Sequence, residues 1–216
     1  MNHAAISADI VASTSLGQSQ REILDTRLRE FLCELRAVLG MKKFFGRLVK
    51  GDCLEFVLDE PQQALRVALM IRTFVKALEI KSKNSAFNNY GARVAVGIGG
   101  ITALDRKRGF IDGPAIVFSG RALQEMGSRN KTGLAFRSAN NNWNNSMTPL
   151  FALLDTMLVK STKQQCGILL HRLSGKTVNE TSAITGTSVS NINKQLRASG
   201  WSAIESALRY FEEEIK

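Results

Sequence analysis

Cysteine, histidine and proline are all scarce in this chain of 216 residues, with three Cys, two His and three Pro. Cys33, Cys53 and Cys166 form no CxxC pair and are too scattered for a disulfide framework. That excludes structural zinc, fits a reducing compartment, and leaves the three as ordinary packed thiols. His3 and His171 give His-based triads and His-rich metal sites almost no material, and His171 within GILLHRL reads as a helix-packing residue. No apolar run approaches the roughly 20 residues of a membrane-spanning helix. The start, MNHAAISADIVAST, lacks a basic flank before a long apolar stretch, so a cytoplasmic protein with no membrane partner is expected. Acidic charge is also in short supply. Against 29 Lys+Arg stand 19 Asp+Glu, a formal charge of +10 that favours polyanionic partners. Between residues 160 and 200 the basic side chains Lys160, Lys163, Arg172, Lys176, Lys194 and Arg197 meet a single acid, Glu180. A hydrophobic fraction of 44% is that of an ordinary folded chain.

Residues 4–11, AAISADIV, read as a buried strand ending near an acid. Leu24, Leu28, Phe31, Leu32, Leu35 and Leu39 recur at helical spacing with charges between them. FFGRLVKGDCLEFVL contains two β-rich runs separated by Lys50-Gly51-Asp52, a hairpin signal with the acid at its tip. Pro61 opens another helix with the stripe Leu65, Ala68, Ile71, Val75 and Leu78, and KSKNSAFNNYG reads as a surface loop. ARVAVGIGG is a strand and LDRKRGFIDG a charged loop. Pro114 starts a helix over AIVFSGRALQEM, and TGLAFRS closes as a strand. The order βαββαβ, then a helix and one more strand, predicts an α+β fold with a ferredoxin-like antiparallel sheet covered by helices. The Asn-rich stretch 140–145 reads as a linker or surface loop. MTPLFALLDTMLVK reads as a connector helix with Leu150, Leu153, Leu154, Met157 and Leu158 on one face. The expected division is a first domain over 1–140, a linker and connector helix over 141–160, and an all-α domain over 161–216.

Asp9 near the end of the first strand and Asp52 at the hairpin tip would share one rim of such a sheet. Hard divalent ions choose carboxylate and carbonyl oxygens, so Asp9, Asp52 and the Ile10 backbone carbonyl form a candidate Mg²⁺ site. An acid followed by Ser and Thr is equally a helix cap, and Gly-Asp equally a turn, and spacing leaves both readings open.

ADIVAST at Ala8 to Thr14, KGDCLEF at Lys50 to Phe56 and VAVGIGG at Val94 to Gly100, followed by Gly113 and Arg121, occur in the order of the motifs of class III adenylate and guanylate cyclases. The first domain resembles the catalytic domain of that family. The resemblance implies that Asp9, Asp52 and the Ile10 carbonyl hold Mg²⁺, that Lys50 and Arg121 clamp the phosphates of a nucleotide, and that two copies pair. Three positions depart from the pattern. Leu48 stands where the family has a base-reading lysine, Phe110 where it has an acidic or polar base reader, and Val117 where it has an asparagine on the ribose and phosphate. A site that loses a hydrogen-bonding partner loses roughly 10⁴ in discrimination. The resemblance therefore implies a degenerate domain that senses or dimerises.

The stretch KTVNETSAITGTSVSNINKQLRASG, from Lys176 to Gly200, has the offsets of a helix-turn-helix. Ser182 is small where helices cross, Gly186 makes the turn, Ser188 caps the second helix, and Ile192 and Leu196 fix it to the core. On this reading the helix from Ser188 to Ser199 enters the major groove of double-stranded DNA. Ser188, Ser190, Asn191 and Asn193 lie toward the bases, Lys194 and Arg197 meet phosphates, and Lys176 and Thr177 touch the backbone. A helical hairpin without a ligand is the alternative. Trp201, Ile204, Leu208 and Phe211 form the apolar face of a last helix, with Glu212, Glu213 and Glu214 on a solvated face. A cyclase-like domain followed by such helices resembles bacterial SatD-type proteins. The expectation is a homodimeric, DNA-binding transcriptional regulator whose first domain binds an unspecified nucleotide or serves to dimerise. The alternatives are a divergent metal-dependent nucleotidyl cyclase or phosphohydrolase localised by its helix-turn-helix, and a module that binds proteins only.

Overall fold

The computed structural model describes residues 2–40, 43–49, 51–128 and 132–216. Strand β1 (His3–Ile10) carries AAISADI and is buried along nearly its whole length, because it lies at the centre of a sheet. Helix α1 (Gln18–Leu39) buries Leu24, Leu28, Phe31, Leu32 and Leu35 of the predicted stripe, with Leu39 half-buried at its end. Strands β2 (Phe44–Val49) and β3 (Cys53–Leu58) form the predicted hairpin, with Val49 opposite Cys53. Helix α2 (Ala64–Ala77), short helix α3 (Ser85–Tyr90) and strand β4 (Ala92–Gly99) follow. Next come β5 (Ala103–Asp105), β6 (Phe110–Asp112), α4 (Pro114–Ser128) and β7 (Leu134–Ser138).

The sheet order is β2-β3-β1-β4-β7. Four of its strands pair antiparallel, but β7 joins β4 in parallel. The sheet is therefore mixed. A strand that returns through a helix on one face of the sheet comes back in the same direction, and α4 provides that crossover. Gly97 makes the packing of α4 on β4 possible, since a Cβ there would stand 2.2 Å from the Ala115 carbonyl oxygen. Ser7 of β1 and Ser119 of α4 share a buried hydrogen bond of 2.8 Å.

Other local expectations are revised. The polar stretch before β4 contains α3, because the Asn84 side chain accepts from the Ala86 N–H at 2.9 Å and caps it. The charged loop after β4 contains the two-stranded hairpin β5–β6, held against β2 by Arg106, whose Nη1 donates to the Phe44 carbonyl at 2.9 Å. The Asn-rich stretch is no loop: α5 (Asn141–Lys160) begins inside it, capped by Asn140, which accepts from Asn142 N–H at 2.9 Å. α5 buries Met147, Phe151, Leu154 and Leu158, with Leu150 and Met157 partly buried against the core, so of the predicted stripe only Leu153 faces outward, at 67% exposure.

Four more helices complete the chain: α6 (Lys163–Leu173), α7 (Val178–Thr185), α8 (Val189–Ala198) and α9 (Trp201–Glu214). Among the described residues the architecture is thus a mixed α+β one, with a five-stranded sheet and nine α-helices. One continuous core runs from Ala4 to Ile215. Phe136 of β7, Phe151 of α5 and Phe211 of α9 meet within it at centroid separations of 5.5 to 6.1 Å.

That continuity explains α2. Its sequence shows one apolar stripe, yet Arg72, Thr73 and Lys76 on its other face are buried too, because α6 covers them. Arg72 donates to the Ala92 carbonyl and to Asp155 of α5, each at 2.6 Å, and Asp155 also accepts from the Gly133 N–H at 2.8 Å. Lys76 donates to the carbonyls of Leu158 and Val159 at the end of α5, both at 2.7 Å. Lys163 in turn donates to the carbonyls of Leu78 and Ile80 beyond the end of α2, both at 3.0 Å. Each lysine thus ties the end of one helix to another.

Candidate functional site

Two places gather the residues that the sequence singled out. The first is the corner where β1, the β2–β3 turn and the start of β4 meet. Asp9 lies in register with Cys53 on one side and Arg93 on the other. The Ile10 N–H donates to the Asp52 carbonyl at 3.1 Å, which ties the turn to the strand end. Ala12 then adopts a left-handed conformation, φ 54°, uncommon for a residue with a Cβ, and the chain turns there. Ser13 consequently reaches Asp52, its Oγ donating to Oδ2 at 2.5 Å. An open pocket of about 750 Å³ lies beside Asp52 and is lined also by Ser13, Thr14 and Arg21.

Both carboxylates at this corner already have partners. Arg93 Nε donates to Asp9 Oδ1 at 2.9 Å and its Nη2 to Oδ2, a fork-on-carboxylate pair. The pairing also raises the Arg93 pKa, chiefly through the hydrogen bond to Asp9. Asp52 Oδ1 accepts weakly from Cys53 Sγ at 3.7 Å. Burial first, then the negative charge of Asp52 and more weakly Asp9, push the Cys53 thiol up, so it stays protonated. Among the described residues no three His, Cys, Asp or Glu side chains come together as a metal cluster. In this arrangement Asp9 is not free to ligate a hard divalent ion, because the Arg93 guanidinium engages both its carboxylate oxygens.

Arg121 is exposed on α4 and is not among the residues lining the Asp52 pocket. Lys50 lies outside the described residues. Sequence reasoning missed Arg93, whose only signal was an opposite charge at the start of the strand that pairs with the Asp9 end. It also missed Arg21, in the first turns of α1.

The second place is the face of α7 and α8. Thr177 caps α7: its Oγ accepts from the Glu180 N–H at 3.2 Å, and Glu180 accepts from the Thr177 N–H at 2.7 Å. That reciprocal cap holds the Glu180 carboxyl below its ordinary range, chiefly through the backbone hydrogen bond to Thr177. Gly186 sits at φ 64°, the left-handed turn between the helices, where a side chain would be strained. Ser188 caps α8, accepting from the Asn191 N–H at 3.3 Å. Thr181, Ile192 and Leu196 are buried, whereas Ser182 is half-buried.

The outward face of α8 carries Ser190, Asn193, Lys194 and Arg197, all exposed, with Lys176 and Thr177 exposed beside α7. Asn191 departs from the expected outward set. It is half-buried and accepts from Gln195 Nε2 at 3.3 Å, while Gln165 of α6 donates to Gln195 at 3.2 Å. Position 191 lies a quarter-turn round the helix from 190, on the side that α6 covers. Glu212 likewise is not free on a solvated face, since it pairs with Arg66 of α2 at 2.8 Å. Lys176, Lys194 and Arg197 have no carboxylate within ion-pair distance among the described residues. The thiols also divide: Cys166 is buried and held up to about 11 by burial, Cys53 is half-buried, and Cys33 is exposed rather than packed. No helix among the described residues is long and apolar enough to cross a membrane.

Comparison with known proteins returns little. No protein-family profile matches the chain, and no curated protein matches it. Among solved structures, a bacterial light-regulated adenylyl cyclase is similar at 18% identity with a TM-score of 0.44, over 62% of this chain and 74% of that one.

Proposed function

We propose that the protein is a DNA-binding transcriptional regulator that reads duplex DNA with the outward face of α8. The observation that carries this reading is the set of exposed cations Lys176, Lys194 and Arg197, without an ion pair among the described residues, around two capped helices joined by a left-handed Gly186. Thr177 and Ser188 serve as caps first and present their helix N-termini to phosphates. Ser190 and Asn193 face the base edges, and Lys194 and Arg197 the backbone. Binding measured by fluorescence anisotropy on duplex DNA is expected to weaken steeply with salt. Lys194→Ala combined with Arg197→Ala should lower the slope of log affinity against log salt by about 2, at roughly 0.9 per phosphate contact. Absence of salt-sensitive binding by the intact protein would overturn the reading.

The antiparallel part of the sheet, β4-β1-β3-β2, supports assigning the first region a ferredoxin-like, cyclase-related arrangement, and the SatD-type resemblance belongs to this reading as well. The first region then acts as a sensor or dimerisation unit, and the regulator works in the cytoplasm. A homodimer is part of the proposal, because one chain leaves Arg121 outside the pocket beside Asp52, so a phosphate clamp using both needs a second copy. Light scattering that finds a monomer would remove it.

A second reading, a nucleotide site with or without turnover, is favoured by the 750 Å³ pocket that joins Ser13, Thr14, Arg21 and Asp52. Mg²⁺-dependent turnover lost in Asp52→Asn would promote it over the first.

A further inference from the structure

A basic groove runs from the edge of α8 along α9, and beyond Asn193 and Arg197 neither the helix-turn-helix reading nor the carboxylate corner uses its lining. Its nearer part, about 340 Å³, lies between Asn193 and Arg197 of α8, Val178 at the start of α7, and Trp201 and Ser202 of α9. Its farther part, about 380 Å³, is lined by Arg66, Glu205 and Arg209. Arg172 and Trp201 line both parts, so the two adjoin across this stacked pair. Arg172 is held in place for a contact: its guanidinium stacks over the Trp201 ring at 5.2 Å, and its Nη1 donates to the Lys176 carbonyl. Its Nε is buried with no hydrogen-bond partner, a donor that lacks an acceptor in the free chain.

The charges in the groove are uneven. Arg66 is answered by Glu212, which leaves Arg172, Arg197 and Arg209 against Glu205. Ser202, Glu205 and Arg209 fall at i, i+3 and i+7 on α9 and share one face. From Trp201 to Arg209 that face extends by roughly 12 Å at about 1.5 Å per residue. This is the axial length of three to four nucleotides of one strand at roughly 3.4 Å each. A compact anion would occupy one part of the groove. Cations spread over two adjoining depressions that lead away from the recognition helix match a polymer of phosphates.

We propose that this groove is a second contact for the DNA backbone, in which Arg172 and Arg209 each meet a phosphate of the strand that leaves the major groove beside Asn193 and Arg197. The proposal rests on the DNA-binding reading and extends it to α6 and α9. Glu205 opposes the contact and limits its strength.

The test is anisotropy on a labelled duplex of arbitrary sequence at several salt concentrations, with intact protein. Arg209→Gln changes an exposed side chain, and its fold is checked by the thermal transition. It is expected to lower the salt slope by about 0.9, and Arg172→Gln with Arg209→Gln by about 1.8. Arg209→Lys should keep the slope. Glu205→Gln should tighten binding several-fold on every sequence tried. If the intact protein binds DNA with its steep slope and Arg209→Gln and Glu205→Gln both leave it unchanged, the groove proposal fails and the α8 reading stands. If the intact protein does not bind duplex DNA, both fail. Should the slope persist in Arg209→Gln while inorganic phosphate competes with a dye-labelled nucleotide at the groove, the site belongs to a small anion and the backbone contact is overturned.

Discussion

The corner beside Asp9 and the face of α8 carry charges of opposite sign and treat them in opposite ways. At the corner each carboxylate is answered inside the chain, Asp9 by Arg93 and Asp52 by Ser13. On α8 and at the start of α7 the cations Lys176, Lys194 and Arg197 are left to solvent. A charge that is already paired costs energy to recruit for a ligand, because its partner must be displaced, whereas an unpaired one on the surface costs only its counterions. A motif alone therefore does not show that a site is open, and the net charge of +10 matters mainly where it is unanswered.

The comparison can be broken most forcefully at the seam that holds the two regions together. Asp155→Ala would leave the fully buried Arg72 without its carboxylate, and a loss of about 3–5 kcal/mol in urea unfolding is expected. The transition should remain single, since one core spans both regions. Two separated transitions in the unaltered protein would show that the regions unfold independently and would contradict the shared seam. Arg93→Ala sharpens the comparison from the other side by freeing Asp9. Mg²⁺ is expected to leave the melting point of the unaltered protein in place and to raise that of the variant, through a stabilisation that reaches about 2.7 kcal/mol at a hundredfold excess over Kd. An Mg²⁺ shift in the unaltered protein would mean that Arg93 yields to the ion.

The smallest effect concerns His171 on α6. Burial holds its imidazole below the ordinary value of 6.5, with Glu34 opposing and Lys176 adding to the shift. The folded state thus binds the proton less tightly than the unfolded chain. Its contribution to stability is present above pH 6.5 and is lost as pH falls through the folded-state value. His171→Gln should therefore lose less stability than the unaltered protein between pH 7.5 and pH 5.5 in paired urea titrations, and equal losses would rule the histidine out.

Much of the fold was legible because its signals are local. The β2–β3 turn, the apolar stripe of α1, and the Gly186 turn with its Ser188 cap each occupy a few neighbouring residues. What escaped depends on partners distant in sequence. Arg93 meets Asp9 only through strand register, 84 residues away, and no periodicity encodes that. Arg72 and Lys76 look like the solvent face of an amphipathic helix until α5 and α6 fold over them. The helix within the Asn-rich stretch was hidden because asparagine is a weak helix former, and the side chain of Asn140 serves as a cap instead. Asn191 was misplaced by a quarter-turn, since the Gln195 and Gln165 chain that draws it inward crosses between helices.

The measurement that bears most directly on this account is the affinity of the intact protein for duplex DNA across a salt series, with all divalent ions chelated. The account predicts binding without metal and a log–log salt slope of about −3 or steeper, the amount expected for Lys176, Lys194 and Arg197 at roughly 0.9 per phosphate. Binding that required Mg²⁺ and vanished in Asp52→Asn, or no binding at any salt concentration, would contradict it.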